Sequence, residues 1–317
     1  MTPLELKQPL VFEPIFKERL WGGRRLETLY RKQLPAGQRI GESWEIVDRQ
    51  EAQSIVASGP LRGWNLHDLW KQFREAIFGP LPESERFPLL IKLLDADQKL
   101  SLQVHPPPRV AAELNGEPKT EFWYITAATS KAELYVGLKK HSSRLLFEQA
   151  IKSGTVEAHV HRVAVRTGDA MFLPSGRMHA IGAGSVIVEI QENSDTTYRV
   201  FDWNRLDEHG SPRQLHVGNS LRSIDFEDFE PALLAPEGEK LVAHDLFHVD
   251  KWTINRPRAA SPPGKFAIVV CLSGEVACAG RVLTPGNFFL VPACLAERNL
   301  EPRAENSSLL RVTIGGD

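Results

Sequence analysis

Gln103 and His105 stand two residues apart in KLSLQVHPPP, residues 99–108, a run that otherwise reads as a buried strand through Leu100, Leu102 and Val104. In extended backbone alternate side chains share a face, so the amide and the imidazole project together. Such a pair is either a satisfied hydrogen-bonding couple or part of a metal site, and two donors are fewer than the three or four that a metal requires. Further donors lie downstream. KTEFWYI, 119–125, sets Glu121 among aromatic and β-branched residues, with Lys119 on the same face. GDAMFLPSGRMHAIGAG, 168–184, runs from Gly168 into a Pro174-Ser175-Gly176 turn and presents His179 just beyond it. Taken singly, Glu121 is an edge carboxylate facing water and His179 an ordinary hydrogen-bonded residue. Together, two imidazoles, a carboxylate and an amide oxygen suit a divalent transition metal, with water or substrate completing the shell.

A fourth segment, QENSDTTYRVFDWNR, 191–205, carries Arg199 on extended sequence, with Asp195 four residues before it and Asp202 three after. A guanidinium stays charged at physiological pH, so it serves poorly as a proton acceptor and well as a fixed positive charge beside an oxyanion or a phosphate. The plainer expectation is an exposed arginine paired with Asp202.

Short strands must position these residues. The chain of 317 residues is punctuated by 23 Gly and 22 Pro, a pattern that favours a sandwich or barrel over alternating β and α units. Helical signals are local. In NLHDLWKQFREAIFG, residues 65–79, Leu66, Leu69, Trp70, Phe73 and Ile77 recur at three and four, Asn65 with Asp68 can cap the start and Gly79 the end. SSRLLFEQAIKSG, 142–154, predicts a second helix between a serine cap and Gly154. GDAMFLP (168–174) and GNFFLVP (286–292) repeat one pattern of Gly, Asp or Asn, apolar strand and Pro, which suggests two copies of one β unit. LLAPEGEK, 233–240, reads as the connection, with a boundary near residue 235.

With 42% hydrophobic and 25% charged residues, the composition is that of an ordinary soluble domain. A net charge of -2 argues against a nucleic-acid surface, and no apolar run approaches membrane-spanning length. The N-terminal stretch, interrupted by Glu5 and Glu13, does not read as a signal peptide. Cys271, Cys278 and Cys294 are odd in number and lack framework spacing, so reduced thiols and a cytoplasmic location are expected.

The spacing from Gly168 through Pro174 and Gly176 to His179 resembles the second motif of the cupin superfamily, in which the turn at the barrel mouth aims the histidine inward. A more specific resemblance runs in order along residues 15 to 220. LWGG (20–23), GESWEI (41–46), PLLIKLLDA (88–96), LSLQVHP (100–106), KTEFWYI, GDAMFLPSGRMHAIG and NSDTTYRVFDWNR (193–205) resemble the signatures of type I phosphomannose isomerases, in particular their short bacterial form. The resemblance implies a mainly β fold of two cupin (jelly-roll β-barrel) units: residues 1–235, catalytic, with a small helical insertion around 64–86, and residues 236–317, cupin-like without a metal site. It implies interconversion of mannose 6-phosphate and fructose 6-phosphate, and one zinc per chain held by Gln103, His105, Glu121 and His179. Arg199 takes the place of the active-site arginine.

Ser101 resembles a phosphate contact of the family and shares the face of Gln103 and His105; Lys92 and Lys99 are the other candidates for binding the small sugar phosphate. Lys119 and Asp195 are the candidates for carrying the proton. The chain departs from the family in the loop PPPRVAAELNGEPK, 106–119, which is short and begins with prolines. In the second unit Glu297 falls where His179 stands in the first and Cys294 where Gly176 stands, which removes both turn and imidazole. Two other functions fit a cupin site: an iron-dependent dioxygenase, which would leave NSDTTYR and GESWE without a role, and a non-catalytic sugar-phosphate-binding cupin.

Overall fold

The computed structural model describes residues 6–206 and 210–315, and over them the protein is mainly β, as expected. Residues up to 201 supply two antiparallel sheets that face one another. The larger has six strands in the order Ile15–Gly23, Ile40–Ile46, Leu89–Ala96, Ser185–Glu192, Glu121–Ala128, Ala170–Leu173. The smaller has five, Tyr198–Phe201, Leu102–Val104, His179–Ile181, Glu133–Leu138, Val160–Ala164. Leu94, Trp123, Ile125 and Ile187 of the first sheet pack with Leu134, Val136 and Ile181 of the second.

From Lys240 onward a second pair of sheets repeats the plan with five and four strands. The two copies of the sequence repeat take equivalent places: Ala170–Leu173 and Phe288–Val291 are each the last strand of the larger sheet. Their entry turns are alike too. Gly168 and Gly286 both have left-handed φ, 98° and 79°, and the next side chain caps the turn: Asp169 Oδ2 accepts from Arg166 N, Asn287 Oδ1 from Thr284 N. An L side chain is disfavoured at such φ, which is why glycine opens both repeats.

The six-stranded sheet is covered on both faces. Ile91, Leu93, Phe122, Tyr124, Val188 and Ile190 point away from the first sandwich and pack against Phe247, Val249, Ile268, Val270, Leu310 and Val312 of the second. Their neighbours Lys92, Leu94, Trp123 and Glu189 point the other way, into the first sandwich, as period-two alternation requires. A sheet buried on both faces needs nearly continuous apolar strands, and LLIKLLDA has no exposed residue.

The expected helix over 65–79 forms, with one difference. Asn65 caps it by accepting from Asp68 N, and Gly79 ends it at φ 76°, but Phe73 (φ −127°) splits it into Leu66–Gln72 and Arg74–Phe78. The break lets Trp70 and Phe78 both turn their rings onto Phe87, at centroid distances of 5.5 and 5.4 Å. The second helix, Arg144–Ser153, is capped by Ser143 and stopped by left-handed Gly154 as its sequence predicts. All three cysteines are free, and burial pushes the Cys271 and Cys278 thiols up to about 12.

Candidate active site and metal centre

The candidate donors arrive on strands from both sheets. In the smaller sheet Gln103 is paired in register with His179 on one side and Arg199 on the other, so the three stand abreast. His105 follows two residues beyond Gln103 on the same face. Glu121 opens an interior strand of the opposite sheet, flanked by Leu173 and Gln191, and is fully buried; it is not an edge residue facing water. The Pro174-Ser175-Gly176 turn carries the chain from the larger sheet to the smaller, and its Gly176 N donates to the carbonyl of His105 at 2.9 Å. His179 therefore enters the inter-sheet space directly after the turn.

His105 Nε2 lies 3.3 Å from Glu121 Oε1, and His179 Nε2 lies 3.5 Å from Glu121 Oε2. The other nitrogen of each ring is fixed by backbone: His105 Nδ1 on the carbonyl of Thr196 at 2.8 Å and His179 Nδ1 on that of Arg177 at 2.9 Å. Each Nδ1 therefore carries the proton, leaving each Nε2 lone pair directed at the carboxylate, the arrangement of histidines that ligate metals. His105 Nε2 and Glu121 Oε2 are buried without a hydrogen-bond partner, and Glu121 Oε1 has only the Lys119 ammonium. Buried acceptors left so are costly, and a divalent cation among His105, Glu121 and His179, whose donor atoms all lie within 4.8 Å of one another, would satisfy all three. Gln103 sits 3.3 Å from His179 Nε2 through its amide. Burial and the Lys119 ammonium pull the His105 pKa down to about 3, and burial also lowers that of His179. Burial works to raise the Glu121 pKa, but Lys119, 2.8 Å from Oε1, and the two imidazoles hold it well below the usual carboxylate range. Neutral imidazoles beside an ionised carboxylate are the protonation states that a metal takes.

Next to the donors lies a cavity of about 310 Å³ whose wall includes Ser101, Gln103, Lys119, Asp195, Arg199 and Lys92. Six sequence candidates thus line one cavity. Lys99 is not among the lining residues: its ammonium sits 3.7 Å over the Trp203 ring and 3.5 Å from Glu157. Lys92 reaches the cavity but is buried in an ion pair with Glu189 at 3.0 Å. Arg199 does not pair with Asp202; its Nη1 donates to the carbonyl of Gln214 at 2.7 Å, while Asp202 is taken by Arg205 and Arg213.

Residues that sequence reading passed over also line the cavity, chiefly Arg19, Glu42, Glu189 and Arg213. Glu42 accepts from Arg19 Nε at 2.8 Å and Trp44 Nε1 at 2.6 Å, and Glu189 accepts from Trp123 Nε1 at 2.8 Å. Glu189 alone carried a signal of this kind: in VIVEIQ a single charge interrupts a strand that is otherwise apolar.

Comparison with known proteins decides the family. The model of the type I phosphomannose isomerase catalytic domain matches residues 10–150. The mannose-6-phosphate isomerase ManA of Bacillus subtilis is 38% identical over 94% of this chain and 97% of its own length. The chain belongs to the type I phosphomannose isomerase family. A mannose-6-phosphate isomerase of Streptococcus mutans is 36% identical over 85% of this chain and 86% of its own. The crystal structure of the Bacillus subtilis mannose 6-phosphate isomerase superposes with a TM-score of 0.85 at 32% identity, covering 97% of this chain and all of that one. The similarity thus extends through the second pair of sheets, beyond the segment matched by the isomerase family model. The short proline-rich loop after His105 is folded as well: Pro108–Ala111 is helical, and Tyr198 Oη donates to the carbonyl of Leu114.

Proposed function

We propose that the protein is a metal-dependent aldose-ketose isomerase that interconverts mannose 6-phosphate and fructose 6-phosphate through an enediol, with zinc as its metal. One observation carries the reading: a buried His105, Glu121 and His179 cluster with unsatisfied acceptors lies next to a cavity lined by Gln103, Lys119 and Arg199, in a chain similar over nearly its full length to mannose-6-phosphate isomerases.

His105, Glu121, His179 and the Gln103 amide oxygen would hold zinc, which would supply Lewis acidity without redox chemistry. The chain does the rest. Arg199, in register with Gln103, presents a permanent positive charge beside the donors and stabilises the developing oxyanion. Lys119 is buried against Glu121, so its ammonium stands where a proton can be delivered to or held at an enediol oxygen. The proton moved between C1 and C2 needs an acceptor in the same cavity. Asp195 and Glu189, two carboxylates that line the cavity, are the groups this reading assigns to it, while Lys119, ion-paired with Glu121, serves on the donor side. Burial and the nearby Glu121 raise the Glu189 pKa, bringing it toward the range in which a base works at neutral pH. The walls of Trp21, Leu94, Leu100 and Ile181 limit water around the intermediate. We place the enzyme in the cytoplasm, a reading supported by its three free thiols.

The test is a coupled assay of mannose 6-phosphate conversion on purified protein, before and after chelation and with zinc restored. Activity abolished by chelator and returned by zinc is the expected outcome. Full activity in chelated protein with no detectable metal would overturn the metal role, and zinc-loaded protein without turnover would overturn the isomerase reading.

A further inference from the structure

Glu117 belongs to the loop that joins two of the donors, His105 and Glu121, yet it is not among the residues that line the cavity. Its carboxylate bridges two guanidiniums: Oε2 accepts from Arg49 Nη1 at 2.9 Å and Oε1 from Arg86 Nη2. The same two nitrogens both donate to the carbonyl of Asn193, each at 2.9 Å. Glu51 takes the Nε of Arg49, so two arginines meet two carboxylates and the cluster is neutral. The backbone of Glu117 is tied as well. Its N–H donates to Thr196 Oγ1 at 3.0 Å, its carbonyl accepts from Ser194 Oγ at 3.3 Å, and Ser194 Oγ accepts from Thr196 N at 3.2 Å. Asn193 extends the tie through its side chain, which donates to the carbonyls of Asp48 at 2.6 Å and Phe87 at 2.7 Å. All of these bonds converge on one short segment, 193–196, and the carbonyl of Thr196 is the group that accepts from His105 Nδ1 at 2.8 Å.

That segment lies between the strands Ser185–Glu192 and Tyr198–Phe201 and belongs to no helix or strand. Irregular backbone has no ladder of its own, so side chains must satisfy it and fix its position. The acceptor on the second nitrogen of a ligating imidazole sets the tautomer and the orientation of the ring, so whatever places that acceptor bears on the metal. We propose that Glu117, clamped by Arg49 and Arg86, is a positioning residue for the metal centre: it holds the Thr196 carbonyl against His105 Nδ1 and so keeps the Nε2 lone pair directed at the cation. The proposal rests on the metal reading of His105, Glu121 and His179. It extends that reading to the loop 106–119, whose far end is fixed by the same clamp: Lys119 follows Glu117 by two residues, and Glu121 opens the next strand two residues later. Removing the carboxylate leaves both arginines on the Asn193 carbonyl without the anion that joins them to the loop.

The experiment compares wild type, Glu117→Ala, Glu117→Gln and Arg86→Ala. Zinc affinity is measured by competition with a chromophoric chelator, kcat and KM at saturating zinc, and the His105 tautomer by nitrogen NMR of metal-free protein with labelled histidines. Glu117→Ala should weaken zinc binding by about 10-fold to 100-fold, the usual cost of disturbing the support of a ligating histidine. It should keep kcat and KM once zinc is saturating, and His105 should change from the single Nδ1–H tautomer to a mixture. Glu117→Gln, which retains one acceptor oxygen, should recover part of the affinity. An unchanged zinc dissociation constant in Glu117→Ala overturns the proposal, as does weaker zinc binding with the His105 tautomer intact, which would make the clamp a structural tie only. If Glu117→Ala fails to fold, Arg86→Ala, which leaves Arg49 on the carboxylate, carries the same readouts. Wild type that takes up no zinc would sink the metal reading alone, because the tautomer comparison in metal-free protein still decides the role of Glu117.

Discussion

Arg199 and Glu121 show how differently two charged side chains serve one cavity. Glu121 is surrounded by donors and cations and holds its place through them, so its loss strips the centre of the carboxylate that both imidazoles face. Arg199 is anchored instead by backbone at Gln214 and His216, with no ion pair to the donor cluster. Arg199→Ala should therefore lower turnover by about 10²-fold to 10³-fold, the usual cost of one transition-state charge donor, while zinc content measured by atomic absorption stays near one per chain. Glu121→Gln should do the reverse, losing metal first and activity in proportion to it. Equal loss of metal and activity in Arg199→Ala would remove it from the chemistry. The donors were legible in the sequence because their neighbours give them away: a turn before His179, a period-two partner for His105, aromatics around Glu121. The place of Arg213 on the cavity was not, since it comes from hydrogen bonds that tie Gln214 and His216 to Arg199, and no local pattern encodes that pairing.

Across the larger sheet, the cavity face carries one charge per strand in alternating sign. Arg19, Glu42, Lys92 and Glu189 occupy four successive strands, and Lys119 with Glu121 continues the row at the fifth. Each charge is buried or half-buried, and each is neutralised by its neighbours, which is how a sheet with an apolar outer face can carry a polar inner one. In sequence these residues are tens of positions apart, and a lone charge in an apolar strand reads as an irregularity until the register is known. Glu42 offers a test. Burial works to raise its pKa, but Lys92, Arg19 and the Trp44 indole outweigh that and bring it from 4.5 to about 2. A carboxylate with its folded pKa lowered stabilises the fold fully above its unfolded value and loses that contribution as the pH falls through the folded one. In metal-free protein, wild type should exceed Glu42→Gln in unfolding free energy by on the order of 3 kcal/mol near pH 7, from the size of that shift. Urea unfolding at a series of pH values should show the gap closing between about pH 4.5 and pH 2. A gap independent of pH would mean that Glu42 contributes packing and not charge.

For the whole molecule, the second pair of sheets covers the face of the first that points away from the cavity. We propose a boundary near residue 235 and a structural role for the unit beyond it, which a chain with two repeats but a histidine only in the first already suggested. The repeat was visible because its entry turn demands glycine twice; that the two units share one apolar core was not, because the partner of each outward residue lies in the other unit. Phe266 stands on that seam, with its ring 5.6 Å from Phe78 and 6.1 Å from Phe87, both in or beside the helical insertion. Phe266→Ala leaves a cavity that the surrounding rings can fill only partly, and such truncations cost about 3 to 5 kcal/mol. Because the His105, Glu121 and His179 cluster lies across the opposite face of the six-stranded sheet from Phe266, the same variant should keep kcat, KM and zinc content when assayed well below its melting temperature. Calorimetric melting with parallel assays separates the two effects: a lower melting temperature with intact kinetics supports a structural second unit. Kinetics that fall while the melting temperature holds would instead make the seam part of the catalytic machinery.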